Sequence, residues 1–210
     1  MPRYAGDVAK AGVIRGDTKL VQIVGAALAE VTRKSGEWLV CKPGCTPCCH
    51  GPFPINQLDV SRLREGLKEL SKIEPSKAEA IRERARNSAK RLAKDFPGDA
   101  KTGLLAEDEA TIERFEDFAN DEPCPVLSAD GRCELYASRP MTCRVFGPPL
   151  RSGEAGGLGH CELCYHGATP EQIAACELDP QTDEMEEKLN ADAEKQSGVR
   201  GQTIVAFALR

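Results

Sequence analysis

The chain has 210 residues, of which 40% are hydrophobic and 29% are charged. That is enough apolar material for one soluble domain with a buried core, and it excludes a disordered chain. The 28 Lys and Arg against 33 Asp and Glu give a formal net charge of -5, which argues against a protein that mainly coats nucleic acid. The N-terminal residues contain no apolar segment of the kind found in secretory signals, and no continuous apolar stretch is long enough to span a membrane. We therefore expect a cytoplasmic protein without membrane association.

Helices are predicted for most of the first 120 residues. Residues 1–16 are expected to form a loosely ordered lead-in, and apolar residues at helical spacing predict a helix from Asp17, its N-cap, to Ser35. The stretch from Cys41 to Pro54 holds four prolines, two glycines and four cysteines, so we expect an irregular loop. Further helices are predicted to begin after Asn56, to run from Pro75 to Phe96, and to cover Glu107 to Asn120.

The character of the sequence changes after residue 120. Two short apolar runs flank the turn signal Asp130-Gly131 and predict a small β-hairpin. The glycine-rich residues 151–159 are expected to form a flexible loop, and Thr169 to begin another helix. Residues 177–196 are acidic and predict a helix, and the apolar residues 203–209 predict a strand or a docking tail.

These elements predict a mainly α, α+β fold, in which helical hairpins surround an irregular, cysteine-rich loop core with a small β-hairpin. We assign residues 17–176 to a metal-binding domain with a helical insert at 56–120. Residues 177–210 form the acidic helix and the apolar tail. Without metal the cysteine loops are expected to lose their order, because thiolate bonds replace a packed core there.

The ten cysteines are the unusual feature of the composition. In a chain without an export signal, clustered thiols are more often metal ligands than disulfides. Four stand within nine residues, as Cys41-x3-Cys45-x2-Cys48-Cys49, where thiolates would repel one another unless a cation held them. Such spacings let side chains converge on one centre. Adjacent side chains diverge, so we expect one of Cys48 and Cys49 to serve a second centre or to stay free.

A second group of cysteines is more dispersed along the chain: Cys124, Cys133, Cys143 and the pair Cys161-x2-Cys164. A hairpin and the loop after it can bring the first three near one point, where Cys161 can supply a fourth thiolate. Cys176 lies in a predicted helix beside two alanines and is interpreted as a small buried residue. One or two thiolate centres are therefore possible, and the sequence leaves open which cysteines share one.

The donor set leaves two kinds of metal open. Zinc takes four Cys or His ligands in a closed tetrahedron, whereas iron–sulfur clusters take thiolates from irregular loops rich in glycine and proline. The proline-rich first run favours an iron–sulfur cluster, with the 4Fe-4S form first, and zinc is the alternative.

The first cysteine run is followed by Cys124-Pro125-x-Leu127-x2-Asp130-Gly131-x-Cys133-x2-Tyr136-x2-Arg139-Pro140-x2-Cys143-Arg144-x-Phe146. This joint pattern resembles the cysteine-cluster family of zinc- or iron-chelating domains. The resemblance covers Cys41 to about Cys164. It implies metal binding through these seven cysteines, with Cys161 as the expected eighth, and it brings a cofactor class without a reaction. The Cys-x3-Cys-x2-Cys spacing also resembles radical S-adenosylmethionine enzymes, but those are barrels of repeated β/α units, and Pro47 stands where they have an aromatic residue.

Charged residues complete the prediction. Arg139 and Arg144 flank Cys143 and are candidates to offset thiolate charge and to tune a cluster's potential, with structural pairing to carboxylates as the alternative. The basic helix 75–96 is a candidate docking patch for RNA or an acidic partner, although a solvated face with internal ion pairs is favoured. Three functions stay open: an iron–sulfur protein with an unknown protein or redox partner, a structural zinc module, and a modifying enzyme that uses S-adenosylmethionine.

Overall fold

The computed structural model describes residues 3–42, 44–151 and 156–210. Within them the chain is mainly helical, with two short antiparallel strand pairs, which confirms the predicted class. The helices are α1 (Arg3–Ser35), α2 (Gln57–Ile73), α3 (Pro75–Leu92), α4 (Glu109–Glu116), α5 (Met141–Val145), α6 (Pro170–Ala175), α7 (Asp183–Ser197) and α8 (Val205–Leu209). The strands are β1 (Gly98–Asp99), β2 (Leu104–Leu105), β3 (Leu150–Arg151) and β4 (Leu158–Gly159). No helix in these described ranges has the length and apolarity that a bilayer crossing needs.

Helix α1 corrects the prediction of a loose lead-in before Asp17, because residues 3–16 are already helical. Val13 is buried in a cluster that includes Leu189 of α7, so packing against α7 extends the helix towards its N-terminus. The two helices approach closely at Gly16, where a β-carbon would overlap Leu189 Cδ2. Asp17 is therefore an interior residue of α1 and not its N-cap.

Helices α2, α3 and α8 form the main core. The side chain of Asn56 accepts a hydrogen bond from the backbone N–H of Asp59 and caps α2 as predicted. Pro75 opens α3, but that helix ends at Leu92, before the predicted Phe96. The apolar C-terminal tail packs against α2 and α3 as a buried helix, so the docking alternative is right and the strand alternative is wrong.

The strand pairs lie away from the predicted hairpin. Around Asp130-Gly131 the chain makes the expected turn, with a single antiparallel bridge between Leu127 and Cys133 and no extended strand. The strands instead pair as β1 with β2 and as β3 with β4. The predicted loop 151–159 is therefore closed by strands at both ends, and residues 152–155 lie outside the described residues. Helix α4 is shorter than predicted and begins after its N-cap Asp108.

A buried ion network joins three of the helices. Arg62 of α2 donates to both carboxylate oxygens of Asp17 on α1, at 3.1 and 3.0 Å, and also pairs with Asp59. Asp59 accepts the backbone N–H of Met141 at 2.9 Å. Since Met141 begins α5, this network fixes the position of the short helix that carries Cys143.

Candidate metal centre

The first cysteine loop makes two successive tight turns. Cys45 N–H donates to the carbonyl of Lys42 at 3.0 Å, and Cys49 N–H donates to the carbonyl of Thr46 at 2.8 Å. The second turn is a short 3₁₀ segment that begins at Pro47, where the missing amide hydrogen costs no hydrogen bond. As a result, the four cysteines of this loop divide between two neighbourhoods.

The first thiol group consists of Cys41, Cys45, Cys161 and Cys164. The sulfurs of Cys41 and Cys164 are 3.9 Å apart, although the residues are 123 positions apart in sequence. Cys164 N–H donates to the carbonyl of Cys161 at 2.8 Å, which closes the turn that carries this pair. Two backbone hydrogen bonds hold that turn beside the first loop, from Cys161 to Gly147 at 3.1 Å and from Tyr165 to Trp38 at 2.8 Å.

Two thiols of this group, those of Cys41 and Cys161, have raised pKa values. Burial of the sulfur raises the pKa of Cys41 to about 12, and the neighbouring Cys164, Cys161 and Cys45 add to the shift. Cys41 as a residue is exposed, but its sulfur faces inward against Gly147. The pKa of Cys161 is raised by burial and by Cys164 and Cys45. A cation bound here would have to displace these protons and would then remove the repulsion between the thiolates.

The second thiol group consists of Cys48, Cys49, Cys124, Cys133 and Cys143. Cys124 N–H donates to the carbonyl of Cys49 at 2.8 Å, and the adjacent His50 and Pro123 form an antiparallel bridge, so the first loop is tied to the segment after α4. The turn that follows delivers Cys133, and α5 delivers Cys143. Four separate segments thus bring five thiols together.

The five thiols also influence one another's protonation. Burial raises the pKa values of Cys124 and Cys143 to about 12. Cys124, Cys133 and Cys143 all act on Cys49, and Cys48 acts on both Cys133 and Cys143. The interaction between the adjacent thiols raises the pKa of Cys48 and lowers that of Cys49.

Two arginines place positive charge beside the second thiol group. Arg139 stacks on the ring of Tyr136 with 3.8 Å to the ring centroid, and its charge opposes the burial that raises the pKa values of Cys133 and Cys143. Arg84 of α3, which the sequence prediction did not connect with the site, donates to the carbonyl of Pro125 at 2.8 Å and opposes the burial that raises the pKa of Cys124. Arg84 also pairs with Glu134, so Arg139 is the stronger candidate to compensate a bound anionic centre.

Arg144 is placed differently from Arg139. Its guanidinium donates to the carbonyl of Ala137, while its Nε is buried without a hydrogen-bond partner in the described structure. Burial lowers the pKa of Arg144 to about 10, and the carboxylates of Asp17 and Asp59 counteract that effect. Arg144 therefore belongs to the surroundings of the buried ion network.

The sequence left open which cysteines share a centre, and the structure separates Cys161 from the second thiol group. Cys161 lies with Cys41 and Cys45, and not with the trio Cys124, Cys133 and Cys143, because its backbone is anchored to Gly147. Cys164 was not among the predicted ligands, although its Cys-x2-Cys spacing was a visible signal. Cys176 is buried as predicted, in a small cluster with Cys164 and Tyr165.

The chemistry of both groups fits a thiophilic metal. Thiolate sulfurs select zinc, copper(I) and iron–sulfur clusters over magnesium or calcium. In the described ranges of the chain, no three His, Cys, Asp or Glu side chains already surround an ion position.

These two thiol groups define a cysteine-cluster metal-binding protein. The family described as "Putative zinc- or iron-chelating domain" matches residues 40–152, which is more than half of the chain, and the chain belongs to this family. The family name gives the pattern CxxCxxCC, and this chain has one additional residue between its first two cysteines. Cys161 and Cys164 lie beyond the matched residues. Comparisons with curated proteins and with solved structures found no match.

Proposed function

We propose that the second thiol group holds an iron–sulfur cluster, with the 4Fe-4S form favoured, and that the protein acts in electron transfer or another redox role. The observation that carries this proposal is that backbone contacts hold together the segments of these five thiols, with Arg139 donating to the carbonyl of Cys143. Family membership supports metal binding, through zinc or iron, without choosing between them.

The surroundings of this group suit a cluster. Each iron of a cluster takes its own thiolate, so the ligands can come from several segments and stand farther apart than around a single ion. Arg139 would offset part of the negative charge of four thiolates and inorganic sulfide, which tunes the potential. Burial of Cys124 and Cys143 would also protect the centre from solvent.

A redox role needs a protein surface where a partner can approach. Phe146 follows α5 directly and is 41% exposed, and Tyr136 is 61% exposed beneath the guanidinium of Arg139. Both residues are three positions from a cysteine of the second thiol group, so they offer exposed aromatic contacts close to it along the chain. We expect a protein partner to bind there.

A structural zinc module is the second candidate, because four cysteine thiolates also make a closed zinc site. The enzyme that uses S-adenosylmethionine has less support. The described residues contain two short antiparallel strand pairs, whereas the resemblance to those enzymes implies repeated β/α units.

Anaerobic purification with iron and acid-labile sulfide analysis tests the proposal. Wild-type protein should be brown and contain iron and sulfide in equal amounts, about four of each per chain for the 4Fe-4S form. Cys143→Ala and Cys133→Ala should each lose the visible absorbance, and Cys176→Ala, which removes a buried cysteine elsewhere, should keep it. Colourless wild-type protein with zinc and no sulfide would overturn the proposal in favour of the zinc module.

A further inference from the structure

The geometry points to a second, separate metal site: a tetrahedral zinc ion held by Cys41, Cys45, Cys161 and Cys164. This inference does not depend on the proposed function, because it concerns only the first thiol group. Two of its four residues lie beyond the part of the chain that the family matches.

The distance between two of the sulfurs matches the separation of two ligands on one zinc ion. Cys41 Sγ and Cys164 Sγ are 3.9 Å apart. Four sulfurs at about 2.3 Å from one tetrahedral zinc ion stand about 3.8 Å from one another. Ligands of an iron–sulfur cluster bind different irons and stand farther apart. A disulfide would need the same two sulfurs at about 2.05 Å.

The arrangement of the four residues in the chain also fits zinc. They form two close pairs, Cys41-x3-Cys45 and Cys161-x2-Cys164, and structural zinc sites commonly take their ligands from two such pairs. Each pair lies at a tight turn that a backbone hydrogen bond closes, at 3.0 Å for the first and 2.8 Å for the second. The same turns hold Cys45 close to Cys41 and Cys161 close to Cys164.

Contacts within the protein chain hold the two turns together. Tyr165 adopts a left-handed backbone, with φ at 61°, and its hydroxyl lies 2.6 Å from Ser35 Oγ at the end of α1. Trp38 and Leu39 pack against the buried cluster of Cys164, Tyr165 and Cys176. A zinc ion here would link the segment after α1 to the segment before α6. It would share no ligand with the second thiol group.

Zinc analysis with X-ray absorption spectroscopy tests this inference on the wild-type protein. We expect one zinc per chain with sulfur-only coordination at about 2.3 Å. Absence of zinc, nitrogen or oxygen ligands at that zinc, or a Cys41–Cys164 disulfide found by mass spectrometry would each overturn it.

Variants separate this site from the other one. Cys164→Ser and Cys161→Ser should each lose the zinc and keep iron and sulfide, whereas Cys143→Ala should keep the zinc. Cys176→Ala is the matched control in the same buried cluster and should keep both. Cobalt(II) added to metal-free Cys143→Ala protein gives an independent readout, because tetrahedral sulfur coordination produces intense visible bands. Octahedral cobalt would contradict the site. Zinc without iron in wild-type protein would overturn the proposed function alone.

Discussion

Gly147 lies directly against the sulfur of Cys41: a β-carbon at position 147 would be 2.9 Å from Cys41 Sγ. The backbone of Gly147 has φ at +125°, a conformation that residues with a side chain rarely adopt. Its carbonyl also accepts the N–H of Cys161 at 3.1 Å. One glycine thus positions both halves of the first thiol group.

Replacing this glycine should damage the first thiol group. Gly147→Ala is expected to cost about 1–3 kcal/mol of unfolding free energy from backbone strain and to lower the zinc content, because the methyl group displaces Cys41 Sγ. Denaturant titration and zinc analysis measure the two effects. Gly157→Ala is the control, since a β-carbon there meets nothing within 4 Å. Equal stability and zinc content in both variants would contradict this prediction.

The buried ion network should be sensitive to loss of its cation. Arg62→Ala would leave the carboxylates of Asp17 and Asp59 buried without their partner, and we expect a loss of about 3–5 kcal/mol of unfolding free energy. Because Asp59 also holds the N–H of Met141, metal retention at Cys143 should fall as well. Urea unfolding and metal analysis provide the measurements.

The control for the ion network is an exposed pair. Lys72 and Glu69 form a salt bridge with side chains that are 59% and 53% exposed. Lys72→Ala should cost less than about 0.5 kcal/mol. A similar loss in the Lys72 and Arg62 variants would show that the buried network does not fix α5.

The C-terminal helix should be essential to the core. Phe207 is 5% exposed, and its ring centroid is 4.4 Å from that of Phe96. Phe207→Ala is expected to cost about 3–5 kcal/mol, the usual loss for a large buried aromatic residue. Ile73→Ala, at a residue that is 79% exposed, should stay within about 0.5 kcal/mol of wild type. Comparable thermal unfolding temperatures for the two variants would refute the buried position of α8.

Glu186 should give the protein a measurable pH dependence. Burial raises the pKa of Glu186, and the nearby charge of Asp59 adds to the shift, while a hydrogen bond from Asn56 at 3.2 Å and the charge of Arg62 oppose it. Since the native state then binds the proton more tightly than the unfolded chain, the ionised carboxylate costs stability at neutral pH. Glu186→Gln should therefore raise the unfolding free energy at pH 7.

The stability difference between Glu186→Gln and wild type should depend on pH. Below the ordinary carboxyl value of 4.5, Glu186 is protonated in both states, so the advantage of the glutamine variant should disappear. Glu187→Gln on the exposed side of α7 should change little at any pH. Urea titrations at several pH values make the measurement, and an advantage that is constant with pH would speak against the burial effect.

Local signals in the sequence were sufficient for several elements. Asn56 caps α2, Pro75 opens α3, and Thr169 begins α6 with a capping box completed by Gln172, because each depends on residues within one helical turn. The length of α1 was predicted wrongly, and the helical form of the docked tail was not predicted. Both depend on packing against segments that are far away in sequence, which no local pattern contains.

The candidate site shows the same division. The cysteines themselves stand out by number and spacing, and ligation by them stays a prediction. Their grouping was not visible, because Cys41 and Cys164 are 123 positions apart and meet only through backbone anchors such as Gly147. The charge of Arg84 beside Cys124 likewise depends on how α3 packs. Five basic residues of α3, namely Lys77, Arg82, Arg84, Arg86 and Arg91, pair with carboxylates, and RNA binding by this helix remains untested.

Elemental and sulfide analysis of freshly prepared, oxygen-protected wild-type protein tests most directly whether these thiols hold metal. We predict iron with matching labile sulfide, together with one zinc per chain. Protein that is fully folded and contains no iron, no zinc and no sulfide would contradict both metal sites.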